Sequence, residues 1–220
     1  FEDFKPYFEK MALHLPDALN DIGEVSGGEL YRAMAAHLAS HVCYSKAAIS
    51  MEQLTPQQMF FIEIIEDARV EYNAIKQFPG LRNLWMKVIK ASQEQVDLDP
   101  KSNAYRIEQL AIKLMDKNHD LQDDQLMIVA DKFYAEIEDN LENEKWSWNL
   151  GVLLHNVLNI ATNKWVSLTE LNKQRFGYRD DNRFVWASEE WAEMDAGSAG
   201  YQETVRRNVS VMEMINEIDS

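Results

Sequence analysis

Cysteine occurs once, as Cys43, so no disulfide can close within the chain and a reducing, cytoplasmic setting is expected. Glycine (8) and proline (5) are too scarce in 220 residues for the frequent turns of a β-sandwich or barrel. No apolar run approaches the roughly 20 residues that cross a bilayer, and no charged-then-apolar leader opens the chain, so no membrane partner is expected. Positive charge is also short. Lys and Arg number 22 against 37 Asp and Glu, a formal net charge of -15. The densest basic spot, Arg206–Arg207, has Glu203 and Glu213 close by. A phosphate backbone is repelled by such a field, so no nucleic-acid partner is expected. The first residue is Phe1 rather than Met, which reads as a piece of a longer protein.

What is abundant points to helix. A 46% hydrophobic fraction argues against disorder, and ten Met with many Leu, Ala, Glu, Gln and Lys suit helical segments. The expected fold is all-α: one irregular bundle of about seven to eight helices over residues 1–190, then a linker and terminal helix over 191–220. Helices are expected from about Phe4 to Leu15-Pro16, from Glu29 to Tyr44, and from Gln57 to about Gln77 behind a Thr55 cap and Pro56. Further helices follow over Leu81 to about Glu94, from the Asp99-Pro100 start to about Lys117, over Asp123–Glu142 and over Ser147–Trp165. Residues Asn172–Ala187 read as irregular, with Arg179-Asp180-Asp181-Asn182-Arg183 set among aromatics. A short helix is expected from Ser188, a linker at Gly197–Gly200 and a terminal helix over Tyr201–Ile218.

Two segments carry chemistry. His37 and His41 stand four apart, so both imidazoles leave one helix face, the spacing by which a helix offers two nitrogens to one metal. A zinc peptidase needs a Glu directly after the first His as its general base; here that position is Leu38, which excludes a working protease. In the next helix, Glu63, Asp67 and Glu71 line one face with Glu66 nearby. Like charges at this spacing repel by about 0.2–0.5 kcal/mol per pair, so cations are expected close by. Arg69 can pair with Glu66. Two readings stand side by side: a divalent metal such as zinc on His37, His41 and Glu66, or a metal-free latch in which the histidines bond carboxylates, Asp67 among them. Glu66 and Glu71 lie about 140° apart around the helix axis and cannot share one small site.

The remaining candidates read as structure. His14 and His119 have no partners at useful spacing, and His155 falls in the apolar stripe Leu154–Leu158 as a core histidine. Trp146, Trp148 and Trp165 fill core, and Cys43 is an inert thiol. Gly27-Gly28 lacks the Lys-Ser/Thr of a phosphate loop, and no serine has a triad context.

In order along the chain, Ala35-Ala36-His37 with His41, then Ile64-Ile65-Glu66-Asp67-Ala68-Arg69-Val70-Glu71, then Phe78-Pro79-Gly80-Leu81-Arg82-Asn83-Leu84-Trp85, resemble the helical N-terminal region of the CbbO/NorD family. The likeness covers about residues 25–90, and Leu15–Leu19 also fits. A weaker similarity extends to the CobT cobaltochelatase group. The resemblance implies an adaptor of a hexameric MoxR-type AAA+ ATPase, CbbQ-like, rather than an enzyme. It also implies a von Willebrand factor A-type domain downstream, since no DxSxS signature occurs here. In the family such adaptors act in the remodelling of inhibited Rubisco or the maturation of nitric oxide reductase. General likeness leans toward the Rubisco branch.

Overall fold

The computed structural model describes residues 5–95, 97–162, 167–171 and 176–186, and the protein is mostly helical. In chain order come β1 (Tyr7–Glu9), β2 (Ala12–His14), α1 (Gly27–Tyr44), α2 (Pro56–Gln77), α3 (Gly80–Gln95), α4 (Asn103–Met115), α5 (Asp124–Glu136), α6 (Glu144–Thr162) and the single turn α7 (Leu168–Leu171). Short 3₁₀ turns follow α5 at Ile137–Asp139 and close the described chain at Arg183–Val185. The expected Ser188 helix, the Gly197–Gly200 linker, the terminal helix and Trp165 lie outside the described residues.

The first element corrects the sequence reading. Residues 7–14 form an antiparallel hairpin, with Tyr7 opposite His14 and Glu9 opposite Ala12, where a helix was expected. Lys10 and Met11 both take positive φ (51° and 59°), the backbone of a two-residue hairpin turn whose usual Asn-Gly signal is missing here. Period-two burial decides the outcome: Phe8 is buried against Phe184 and Leu38, while its neighbours Tyr7 and Glu9 stay partly exposed. The Arg183 guanidinium lies 3.8 Å over the Tyr7 ring and closes the hairpin's other face.

Helix ends follow capping chemistry. Ser26 and Glu29 form a reciprocal capping box at α1, and Thr55 and Gln58 form one at α2, ahead of Pro56 in the first turn. At α4 the cap is Ser102, whose Oγ accepts from Tyr105 N at 3.2 Å. Asp99-Pro100 instead forms the preceding turn, closed by Ser102 N donating to Asp99 O at 2.8 Å. α5 begins behind Asp123 as expected but ends at Glu136, six residues early.

α2 is the axis of the bundle. From Phe60 to Ile75 nearly every side chain is buried, on all sides of the helix. One apolar core joins α1, α3, the end of α2 and Ala111, Ile112 and Met115 of α4; it includes Trp85 and Tyr178, stacked at 5.8 Å. A second core joins the first half of α2 to α4, α5 and α6. Gly151 allows α6 to press onto α2: a Cβ there would stand 2.5 Å from Ile62 Cα. Between these cores the centre of α2 carries Glu66, Asp67, Arg69 and Glu71, each 2% exposed or less. Charges this deep must be paired or neutralised, because desolvation costs several kcal/mol per ion.

Candidate functional site

The strap Phe176–Trp186 supplies what α2 lacks in its own sequence. It is anchored by Ile49 N donating to Val185 O at 2.9 Å and by Asp181 N donating to Pro6 O at 3.1 Å. Phe176, Tyr178, Phe184, Val185 and Trp186 are buried, which turns Arg179 and Asp180 inward. Arg179 forks onto Glu71, donating from Nε to Oε1 at 2.9 Å and from Nη2 to Oε2 at 2.7 Å, and its Nη1 lies 3.2 Å from Asp67 Oδ2. The Tyr178 hydroxyl donates to Glu71 Oε1 at 2.9 Å.

Against this layer stand the two histidines of α1, both wholly buried, with rings 5.0 Å apart and nearly perpendicular. Their Nε2 atoms converge on two carboxylates. His41 Nε2 is 3.2 Å from Asp67 Oδ1 and 3.8 Å from Asp180 Oδ1; His37 Nε2 is 3.7 Å and 3.4 Å from the same two oxygens. Behind the rings, His37 Nδ1 faces Glu71 Oε1 at 3.3 Å, and His41 Nδ1 faces Ser45 Oγ at 3.3 Å. Ser45 Oγ donates in turn to Glu66 Oε1 at 2.7 Å.

Glu66, expected as the carboxylate beside the histidines, sits one step behind them. It reaches His41 only through Ser45, and its own cation is Arg69, which donates from Nε to Oε2 at 2.8 Å and from Nη2 to Oε1. Arg69 also donates to the main-chain oxygens of Leu141 and Tyr44. Asp67 occupies the place expected of Glu66, because it lies on the strip of α2 facing α1 with Glu71 one turn on. Asp180 was not singled out by sequence at all: it lies more than 100 residues from both helices, and only its setting among aromatics hinted at burial.

The electrostatics follow this geometry. Burial alone would raise Glu71, yet Arg179 and His37 hold it down at about 2. Asp67 is likewise lowered against its burial by Arg179 and the two histidines. Glu66 is lowered by Arg69 and, less strongly, by His41 and Ser45. For His37, burial opposes the charged form, but Asp180, Glu71 and Asp67 win and push it up to about 9. Burial raises the Cys43 thiol, as suits an unreactive cysteine.

The other candidates fall in structural roles. His14 stacks on Tyr7 in the hairpin, His119 bonds Gln109, and His155 is buried against Phe61. Trp146 is buried and donates to Glu136. Chemically, the cluster is a set of donors for a cation: one ligand atom from each of His37, His41, Asp67 and Asp180 lies within 4.8 Å of every other, a spacing that can hold a metal ion. No helix among the described residues is long and apolar enough to cross a membrane. Compared with protein-family models, curated proteins and solved structures, the chain matches none of them.

Proposed function

We propose that this chain is the helical body of a CbbO/NorD-type adaptor, cytoplasmic and without catalytic activity of its own. It docks on a hexameric MoxR-type AAA+ ATPase of the CbbQ kind and passes the ring's motion to a target enzyme gripped by a downstream domain. Inhibited Rubisco is the first target to test and nitric oxide reductase the second. One observation supports this reading above others: the Glu66-Asp67-Ala68-Arg69-Val70-Glu71 run that carries the resemblance faces inward, its charges committed to other segments of the same body. Trp85, from the third stretch of the resemblance, is also wholly buried and donates Nε1 to Ala33 O at 3.0 Å. Residues spent on tying helices together suit a part that transmits force.

The rival is a metal-dependent hydrolase on His37, His41 and Glu66. It lacks the base at Leu38, and Glu66 is engaged by Arg69 and Ser45. The test is ATP turnover by the cognate ring with the full-length adaptor. Turnover rises severalfold at low salt and the gain fades as salt is added, since an acidic surface of net charge -15 steers toward basic patches. Unchanged turnover at low salt rejects the adaptor reading.

A further inference from the structure

The adaptor reading leaves unexplained why this buried titratable cluster is short of positive charge. Asp67, Glu71 and Asp180 bring three carboxylates, while Arg179 is the one guanidinium among the described residues that touches them. The unmet demand has an address. Among the described residues both Asp180 oxygens and both His37 ring nitrogens lack a well-formed hydrogen bond and are met at best by histidine–carboxylate approaches of 3.3–3.8 Å, although Asp180 is 1% exposed and His37 is wholly buried. Polar atoms so loosely met at that depth are costly when nothing fills the gap.

We propose that His37 Nε2, His41 Nε2, Asp67 Oδ1 and Asp180 Oδ1 bind one divalent first-row metal ion, zinc in the first place, as a closed structural site that clasps the 176–186 strap to α1 and α2. Zinc–nitrogen and zinc–oxygen bonds of about 2.0–2.1 Å set the edges of a ligand tetrahedron at about 3.3 Å. The four histidine-to-carboxylate edges measure 3.2, 3.4, 3.7 and 3.8 Å, within about half an ångström of that value, and every pair of the four ligand atoms lies within 4.8 Å.

The outer shell is already arranged. A metal-binding imidazole needs its other nitrogen to donate, which fixes the tautomer and frees the ligating lone pair. His37 Nδ1 has Glu71 for this and His41 Nδ1 has Ser45, itself backed by Glu66. With those donors committed, each Nε2 faces carboxylate oxygens and needs a cation there, either its own proton or a metal ion. Asp67 Oδ2, the oxygen turned from the histidines, is held by Arg179. Ligation requires both rings neutral, so the proton held on His37 is released, and a dication then cancels the surplus of two negative charges that remains. Two imidazoles select zinc over magnesium or calcium, which prefer an all-oxygen shell. Four protein ligands leave no open position for an activated water, so the ion staples and does not hydrolyse.

The experiment is elemental analysis of the chain purified without chelator, with about one zinc per chain expected, as for a closed structural site. Stripping with a strong chelator lowers the folding temperature by roughly 10 °C, and Zn²⁺ but not Mg²⁺ restores it. Cobalt substitution gives the intense visible bands of tetrahedral Co²⁺. Asp180→Asn abolishes stoichiometric metal. Ser45→Ala, which touches no metal, keeps the fold but weakens zinc roughly 10-fold in competition with a chromophoric chelator. The proposal is overturned if the parent chain carries under a tenth of an equivalent and tenfold excess Zn²⁺ leaves its melting unchanged. It is equally overturned if Asp180→Asn holds zinc as tightly as the parent. Neither measurement involves the ATPase ring, so either idea can fall alone.

Discussion

Two faces of α2 solve the same problem differently. On one face Glu66 meets Arg69, three residues on; the pair adds Ser45, Tyr44 O and Leu141 O, and neither residue leaves a buried polar atom without a partner. On the other, Asp67 and Glu71 take their guanidinium from Arg179, more than 100 residues away, and the addition of Asp180 leaves negative charge in surplus with orphaned atoms around it. A balanced buried pair holds a fold together. An unbalanced one of equal burial calls for a further cation.

The comparison breaks most visibly at Arg69. Arg69→Met strands Glu66 beside Glu144 in the interior, and removing one partner of a buried pair costs about 3–5 kcal/mol. Urea unfolding measures this, and a cost under 1 kcal/mol would mean that the Glu66 face is not closed as described. The matched pair Glu66→Gln and Asp67→Asn sharpens the contrast. In chelator-treated protein Glu66→Gln costs about 2–3 kcal/mol, since it discharges a balanced face and leaves Arg69 only the more distant Glu144 at 3.7 Å. Asp67→Asn, which relieves a surplus, stays within about 1 kcal/mol of the parent. Equal losses would erase the distinction between the faces.

How far the sequence reaches is set by the same distinction. Several contacts made within one helical turn were legible: the paired histidines, Arg69 on Glu66, and Thr55 with Pro56 at the head of α2; the Ser26–Glu29 box and the Ser102 cap were not. The helical class was legible from composition and periodicity, because α2 through α6 keep their apolar residues at helical spacing. The hairpin was hidden because Lys10 and Met11 adopt left-handed backbone without a turn residue to announce it. Asp180 was hidden because nothing local marks a strap that folds back across two helices. The choice of Glu66 over Asp67 failed by one residue, a rotation of about 100° around the axis, which sequence alone cannot orient against its neighbour.

Tyr178→Phe probes the strap more gently. It deletes a single hydroxyl bonded to Glu71 Oε1, a charged acceptor that keeps both Arg179 bonds. Hydrogen bonds to charged groups are worth about 1.5–3 kcal/mol, and with the fork intact the loss falls near 1.5 kcal/mol. Thermal unfolding of the variant reads it directly, while the stacking of the ring on Trp85 is preserved.

Glu63, one turn before Asp67, handles its charge by a third route. Its carboxyl accepts from Trp186 Nε1 at 2.8 Å. Burial first, then Asp67 and Asp180, push it up to about 8, against the pull of Trp186 and Lys5. Between pH 4.5 and 8 the folded chain therefore holds a proton that the unfolded chain releases. The stability this confers is full below pH 4.5 and is lost as pH climbs through 8. Gln keeps an oxygen for Trp186 and never ionises, so Glu63→Gln melts with the parent near pH 4.5. Above pH 8 it is more stable by roughly 1 kcal/mol, well under the full linkage value because Glu63 is only half-buried. Paired melts at pH 4.5 and 9 decide it: a gap that widens with pH means the acid is protonated in the fold, and a constant gap means that a cation neutralises it as on the rest of the helix.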